Sequence, residues 1–167
     1  MGAVTFDELS VIREKHPGQK IVFCSGAFDL THAGHVLFFE DCKKHGKVLV
    51  VGISSGSSSS GLKKQKGSGR PILNQHLRLK MVDSLKPVDY TFIVPPIEVS
   101  YSLEKVKYIM EKLKPDVYVI NSDASDIPYR QQICKNMGIE LIILERWCPI
   151  EFEQISTTKI IEKIKAA

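Results

Sequence analysis

Two imidazoles three residues apart, His32-Ala33-Gly34-His35, stand where an apolar strand gives way to a helix. The run Lys20 to Ser25 (KIVFCS) reads as a buried strand of a parallel sheet, and Val36 to His45 reads as a helix closed by Gly46. In open α/β sheets, ligands bind in the crevice beyond such a strand end. A helix start there offers unpaired N–H groups and a partial positive charge to a phosphate. Two histidines add donors able to neutralise charge as it develops. The bland alternative is a pair of polar loop residues satisfied by backbone groups, and a zinc site would need companion ligands that the spacing does not supply. Gly34, the strand-to-helix position and two distant clusters tip the balance toward phosphate chemistry.

The first of those clusters is Ile155-Ser156-Thr157-Thr158-Lys159, opening the final helix. Ser156 is a good N-cap, and three hydroxyls with free backbone amides make a second phosphate cradle. The other is Lys63-Lys64-Gln65-Lys66-Gly67, followed by Arg70. A charge run is usually a solvated face, but a basic loop closing over a triphosphate would expel water and strengthen every contact inside. Arg78, in the next helix, would read alone as an exposed helix residue. Three familiar motifs fail. Gly56 to Gly61 nearly matches a P-loop, yet Leu62 and Lys63 stand where Lys and Ser or Thr are required. The spaced glycines of a dinucleotide-binding turn are missing after Gly26, and there is no serine nucleophile elbow.

Bulk properties agree with a single compact globular domain. The chain has 167 residues, 43% hydrophobic and 25% charged, with a net charge of +4. That mild excess is concentrated near residues 63–70, which suits a local polyanion better than nucleic acid. Cys24, Cys42, Cys134 and Cys148 have neither pair nor zinc spacing, so a reduced, cytoplasmic setting is expected. No apolar run reaches membrane-spanning length and no signal peptide is visible. Met1-Gly2 suggests myristoylation, but Phe6 occupies the position that needs Ser or Thr.

Strand-like and helix-like segments alternate throughout. Thr5 and Glu8 form a capping box for a helix over about residues 6–15, in an N-terminal helical extension of residues 1–18. Strands are expected at 20–25, 47–53, 89–94, 116–121 and 139–144, and a long Ser/Gly/Lys loop over 54–71. Asn74 caps a helix with Leu77, Met81, Val82 and Leu85 on one face. Ser102 starts another, with Leu103, Val106, Met110 and Leu113 inward, and Ile127–Met137 ends at Gly138. Five parallel strands with helices on both faces define an α/β, Rossmann-like doubly wound sheet in a single domain.

Together the two signatures resemble those of the cytidylyltransferase-like nucleotidyltransferase superfamily, over about residues 20–165. The segments KKQKG (Lys63 to Gly67) and ISTTKI (Ile155 to Ile160) look like glycerol-3-phosphate cytidylyltransferase, while AFDLTHAGHV (Ala27 to Val36) and KGSGRPI (Lys66 to Ile72) look like the adenylyltransferase that makes ADP-heptose. Departures lie at Ser54-Ser55-Gly56, at Asn121-Ser122-Asp123 and in the long segment from Arg146 to Ile155 with its Trp147 and Pro149. The resemblance implies transfer of a nucleoside monophosphate, CMP favoured, from CTP or ATP to a small phosphorylated alcohol or sugar phosphate. His32 and His35 would donate to the α-phosphate. Lys64, Lys66 and Arg78 would hold the acceptor phosphate or the leaving pyrophosphate. Gly26, Ala27, Phe28 and Gly34 would line the nucleotide cleft, Asp123 would contact acceptor or nucleobase, and Ser156, Thr157 and Thr158 would bind the β- and γ-phosphates. Mg²⁺ would bridge the phosphates, with no dedicated protein metal site, and a homodimer is implied as well. A noncatalytic nucleotide-binding module on the same fold is the rival from another class.

Overall fold

The computed structural model describes residues 2–55, 70–96 and 104–167. Along it run β1 (Gly2–Ala3), α1 (Leu9–Lys15), β2 (Ile21–Gly26), α2 (Ala33–Lys43), β3 (Val48–Ser54) and α3 (Gln75–Asp83). They are followed by β4 (Tyr90–Val94), α4 (Glu104–Leu113), β5 (Val117–Asn121), α5 (Ile127–Met137), β6 (Glu140–Leu144) and α6 (Thr157–Ala166). Lys63, Lys64 and Lys66, with Ser102 and Leu103, lie outside the described residues.

Ile21 to Cys24 are all buried because the sheet is covered on both faces, and successive side chains enter opposite layers. Ile21 and Phe23 join one core with Leu9 and Ile12 of α1 and with residues of α4 and α5. Val22 and Cys24 join the other, with Phe39 and Cys42 of α2 and Val82 of α3. The strands form one sheet in the order β1-β4-β3-β2-β5-β6, and every pairing is parallel. From β2 the chain steps outward through β3 to β4, then returns to place β5 on the other side of β2. The C-terminal ends of β2 and β5 therefore border a topological switch point, where a crevice must open.

Two expectations need correction. The first 18 residues are more than a helical extension. Gly2 donates its N–H to the Asp89 carbonyl and Val4 to that of Thr91, both at 2.8 Å, which adds a sixth strand to the five expected. A two-residue strand is too short for alternation to reveal. Leu9 and Ile12 of α1 are 0% and 1% exposed, so this segment completes a core. Helix α3 is capped as expected, with Asn74 accepting from His76 and Leu77 N–H at 3.0 Å each. Its inward face is different: Arg78 and Val82 are fully buried, whereas Leu77 and Met81 are 51% and 49% exposed. The helix is turned so that Arg78 reaches carbonyls at the ends of β2 and β3, a demand that counting apolar residues cannot register.

Among the described residues no helix is long and apolar enough to cross a membrane. Truncating a core side chain of α1 tests the role of the N-terminal segment. Ile12→Ala should lower unfolding free energy by roughly 2–5 kcal/mol in urea titrations. A change below about 0.5 kcal/mol, the range of surface substitutions, would mark the segment as peripheral.

Candidate active site

The loop leaving β2 is strained and held from several sides. Phe28 and Leu30 both adopt left-handed backbone, with φ of 46° and 45°, a conformation uncommon outside glycine. Arg78 donates through Nη1 to the Ala27 carbonyl at 2.6 Å. Between the two strained residues, Asp29 accepts the Ile72 and Leu73 N–H groups on its two carboxylate oxygens, at 2.8 and 3.0 Å. Its own carbonyl receives the Thr157 hydroxyl at 2.8 Å, and the Thr31 hydroxyl closes onto the Phe28 carbonyl at 3.2 Å. Helix α3, the segment before it and the start of α6 thus fix one turn.

That turn delivers His32 as the N-cap of α2, with His35 one turn further on. The rings stack with centroids 3.9 Å apart and planes 27° apart. Phe28 meets His35 edge-on at 5.5 Å. The Nδ1 of His35 accepts the backbone N–H of His32 in a long bond of 3.4 Å, which assigns its proton to Nε2. Gly34 is needed between them. A Cβ there would lie 3.1 Å from the His32 ring, closer than ordinary contact, while the Ile155 carbonyl sits 3.5 Å away.

A cleft of about 660 Å³ opens at the switch point, lined by both signatures. Gly26, Ala27, Phe28, His32, Gly34, His35, Asp123, Ser156 and Thr157 all border it. The hydroxyls there have internal work. Ser156 Oγ caps α6 by accepting the Lys159 N–H at 3.2 Å, and Thr157 is committed to Asp29. Thr158 is exposed and outside the cleft. Arg78 is not a cleft residue either. It is 0% exposed, and Nε, Nη1 and Nη2 go to the carbonyls of Leu73, Ala27 and Ser54, so it positions the loop and does not reach a phosphate. Lys64 and Lys66 lie outside the described residues.

Arg146 and Trp147 were given no role by the sequence reading. Arg146 forms a two-point pair with Asp123, Nε to Oδ2 at 3.0 Å and Nη2 to Oδ1 at 3.2 Å. The Trp147 indole donates to Asp41 of α2 at 2.7 Å, tying the segment after β6 across the cleft. Arg70 and Lys159 also line it. The only signal for Arg146 and Trp147 was that they interrupt the expected run before Ile155, and nothing local reveals the partners of Asp29.

The cytidylyltransferase-like family model matches residues 23–163. The chain belongs to the cytidylyltransferase-like family. Among curated members, the bifunctional protein HldE of Pseudomonas paraeruginosa is 35% identical over 149 residues, 89% of this chain and 28% of that protein. HldE of Aliarcobacter butzleri is 40% identical over 121 residues, 71% of this chain and 23% of that protein. The chain spans less than a third of the length of these relatives. Among solved structures, a lipopolysaccharide core biosynthesis protein from Thermoplasma volcanium superposes with a TM-score of 0.58 and 27% identity, covering 78% of this chain and 98% of that one. A pantoate-beta-alanine ligase from Francisella tularensis gives a TM-score of 0.67 at 17% identity, covering 99% and 77%, which supports the fold alone.

In this family member burial favours the neutral form of both histidines. Burial, then the neighbouring His32 and Arg146, push His35 down to about 3. Burial and Arg146 also lower His32. A neutral imidazole with its proton on Nε2 is a donor that adds no net charge until an anion arrives. Because the folded pKa of His35 lies below its unfolded value near ~6.5, the unfolded chain takes up the proton first as pH falls. The contribution of His35 to stability is therefore complete above about pH 6.5 and erodes toward pH 3. Nitrogen-15 NMR should show His35 in the Nε2–H tautomer down to about pH 4; titration near 6.5 would contradict the burial argument.

Proposed function

We propose that the chain transfers a nucleoside monophosphate from a nucleoside triphosphate to a small phosphorylated acceptor, with release of pyrophosphate. The observation that carries this reading is the convergence of the His32–His35 pair and the start of α6 on one cleft, with Gly34 against Ile155. Family membership and the HldE relatives support the same class.

An acceptor phosphate oxygen attacks the α-phosphorus; a new P–O bond forms as the bond to the β-phosphate oxygen breaks. A phosphate monoester with a second pKa near ~6 is largely dianionic at neutral pH. No general base is required, and the protein's contribution is alignment and charge stabilisation. His35 Nε2–H, joined by His32, donates to the α-phosphate oxygens, and the approaching negative charge raises the basicity of both rings as the transition state forms. Helix α2, and α6 beyond it, turn their N-termini toward anionic groups. Among the described residues no three His, Cys, Asp or Glu side chains gather to cage a metal. Mg²⁺, entering with the nucleotide, would supply charge neutralisation at the phosphates.

For the finer specificity, the HldE relatives and the KGSGRPI segment favour an adenylyl donor and a sugar-phosphate acceptor. The ISTTKI segment favours a cytidylyl donor, which stands as the second reading. The deciding experiment is a pyrophosphate-release screen crossing the common nucleoside triphosphates with phosphorylated sugars and alcohols. We expect turnover with ATP and a sugar phosphate, lowered roughly 100- to 1,000-fold by His35→Ala. Equal turnover in that variant would remove the histidine from the mechanism. Saturable nucleotide binding with no release for any pair would favour a noncatalytic module.

A further inference from the structure

Two arginine side chains are withdrawn from solvent near the cleft, and their Nε groups are satisfied differently. Arg78 spends each of its three nitrogens on a backbone carbonyl, at 2.6 to 2.9 Å. The Arg70 side chain is 10% exposed, and it lines the cleft together with His32 and His35. Its Nε is buried with no hydrogen-bond partner among the described residues. The counter-charge beside it is Asp29 Oδ2 at 3.5 Å, beyond hydrogen-bonding range. That carboxylate is already occupied, since both oxygens accept backbone N–H groups from Ile72 and Leu73.

Burying a charged Nε–H without an acceptor is costly, and native proteins seldom leave such a donor empty. The cost is tolerable where a ligand supplies the acceptors. A guanidinium fork matches the oxygens of a phosphate in shape and charge, and a desolvated position strengthens the contact. Asp29 balances the charge while the cleft is free of ligand, and its pairing with Ile72 and Leu73 keeps the segment carrying Arg70 against the β2 loop. The same carboxylate thus places the histidines and the arginine relative to each other.

We infer that Arg70 is an oxyanion-binding residue of this cleft, taking phosphate oxygens of a substrate while Asp29 holds its guanidinium in position. This rests on the nucleotidyl-transfer reading and adds to it a cation that the histidines cannot supply while neutral.

The test is calorimetric titration of the wild-type chain, Arg70→Ala and Arg70→Lys with inorganic pyrophosphate and, separately, with glycerol 3-phosphate. Arg70→Ala should weaken binding of one of these anions about 10- to 100-fold, the range for a charged hydrogen bond. Arg70→Lys, which keeps the charge beside Asp29 but not the fork, should fall between. Loss confined to pyrophosphate places Arg70 on the nucleotide's phosphates; loss confined to glycerol 3-phosphate places it on the acceptor. Wild-type affinity for both anions in the Lys variant and in any folded Ala variant would overturn the inference alone. A wild-type chain that binds neither anion would overturn the transfer reading as well.

Discussion

Asp29 is the point on which the site depends. Its carboxylate takes two backbone N–H groups from the segment before α3, and its carbonyl takes the Thr157 hydroxyl at the start of α6. Parts of the chain 43 and 128 residues away are thereby fastened to the loop that carries the histidines. Left-handed backbone at Phe28 and Leu30 costs roughly 1–3 kcal/mol per residue. Hydrogen bonds to a charged group return about 1.5–3 kcal/mol each. The two bonds at the carboxylate, with the guanidinium of Arg78 on Ala27, are therefore enough to hold the turn in a shape it would not adopt by itself. Strain and tether together set where the imidazoles point.

The electrostatics follow from that packing. Stacked rings pressed against Phe28 lose solvation, so the cleft holds neutral donors in place of imidazolium ions. Arg146, which lowers both histidines, is itself paired with Asp123 at the rim, each side chain 60% exposed. Such an exposed pair contributes little to stability and can be remade when an anion enters. Fixed positive charge in the cleft therefore comes from Arg70, Arg146 and Lys159, and the histidines act as neutral donors beside them. The segment Arg146–Trp147, anchored to Asp123 on one side and to Asp41 of α2 on the other, defines one wall of the same space.

What the sequence disclosed, and what it hid, divides along a physical line. Buried strands, the Asn74 and Ser156 caps and the left-handed Gly138 are local matters, written in neighbouring residues, and the structure has them where the pattern put them. The pairing of His32-Ala33-Gly34-His35 with Ile155–Lys159 was legible because both signatures survive in order. Arg78 was misread because a buried arginine on an inward helix face looks like a polar interruption until its three carbonyl partners are in view. Asp29 gave no sign because its partners are backbone groups, which carry no residue identity. The edge strand at Gly2–Ala3 was too short to show a period, and its partners are the backbone carbonyls of Asp89 and Thr91.

The most direct test of this account is steady-state pyrophosphate release by Asp29→Asn, with circular dichroism to confirm the fold. Asparagine keeps the shape but presents an amide donor to one of the two N–H groups, which loosens the turn without emptying the cleft. Misplacement of about 1 Å at reacting groups can cost on the order of 100-fold in rate. A folded variant slowed to that degree or more is the predicted result. Wild-type turnover in a folded Asp29→Asn protein would show that the histidines are positioned by something else.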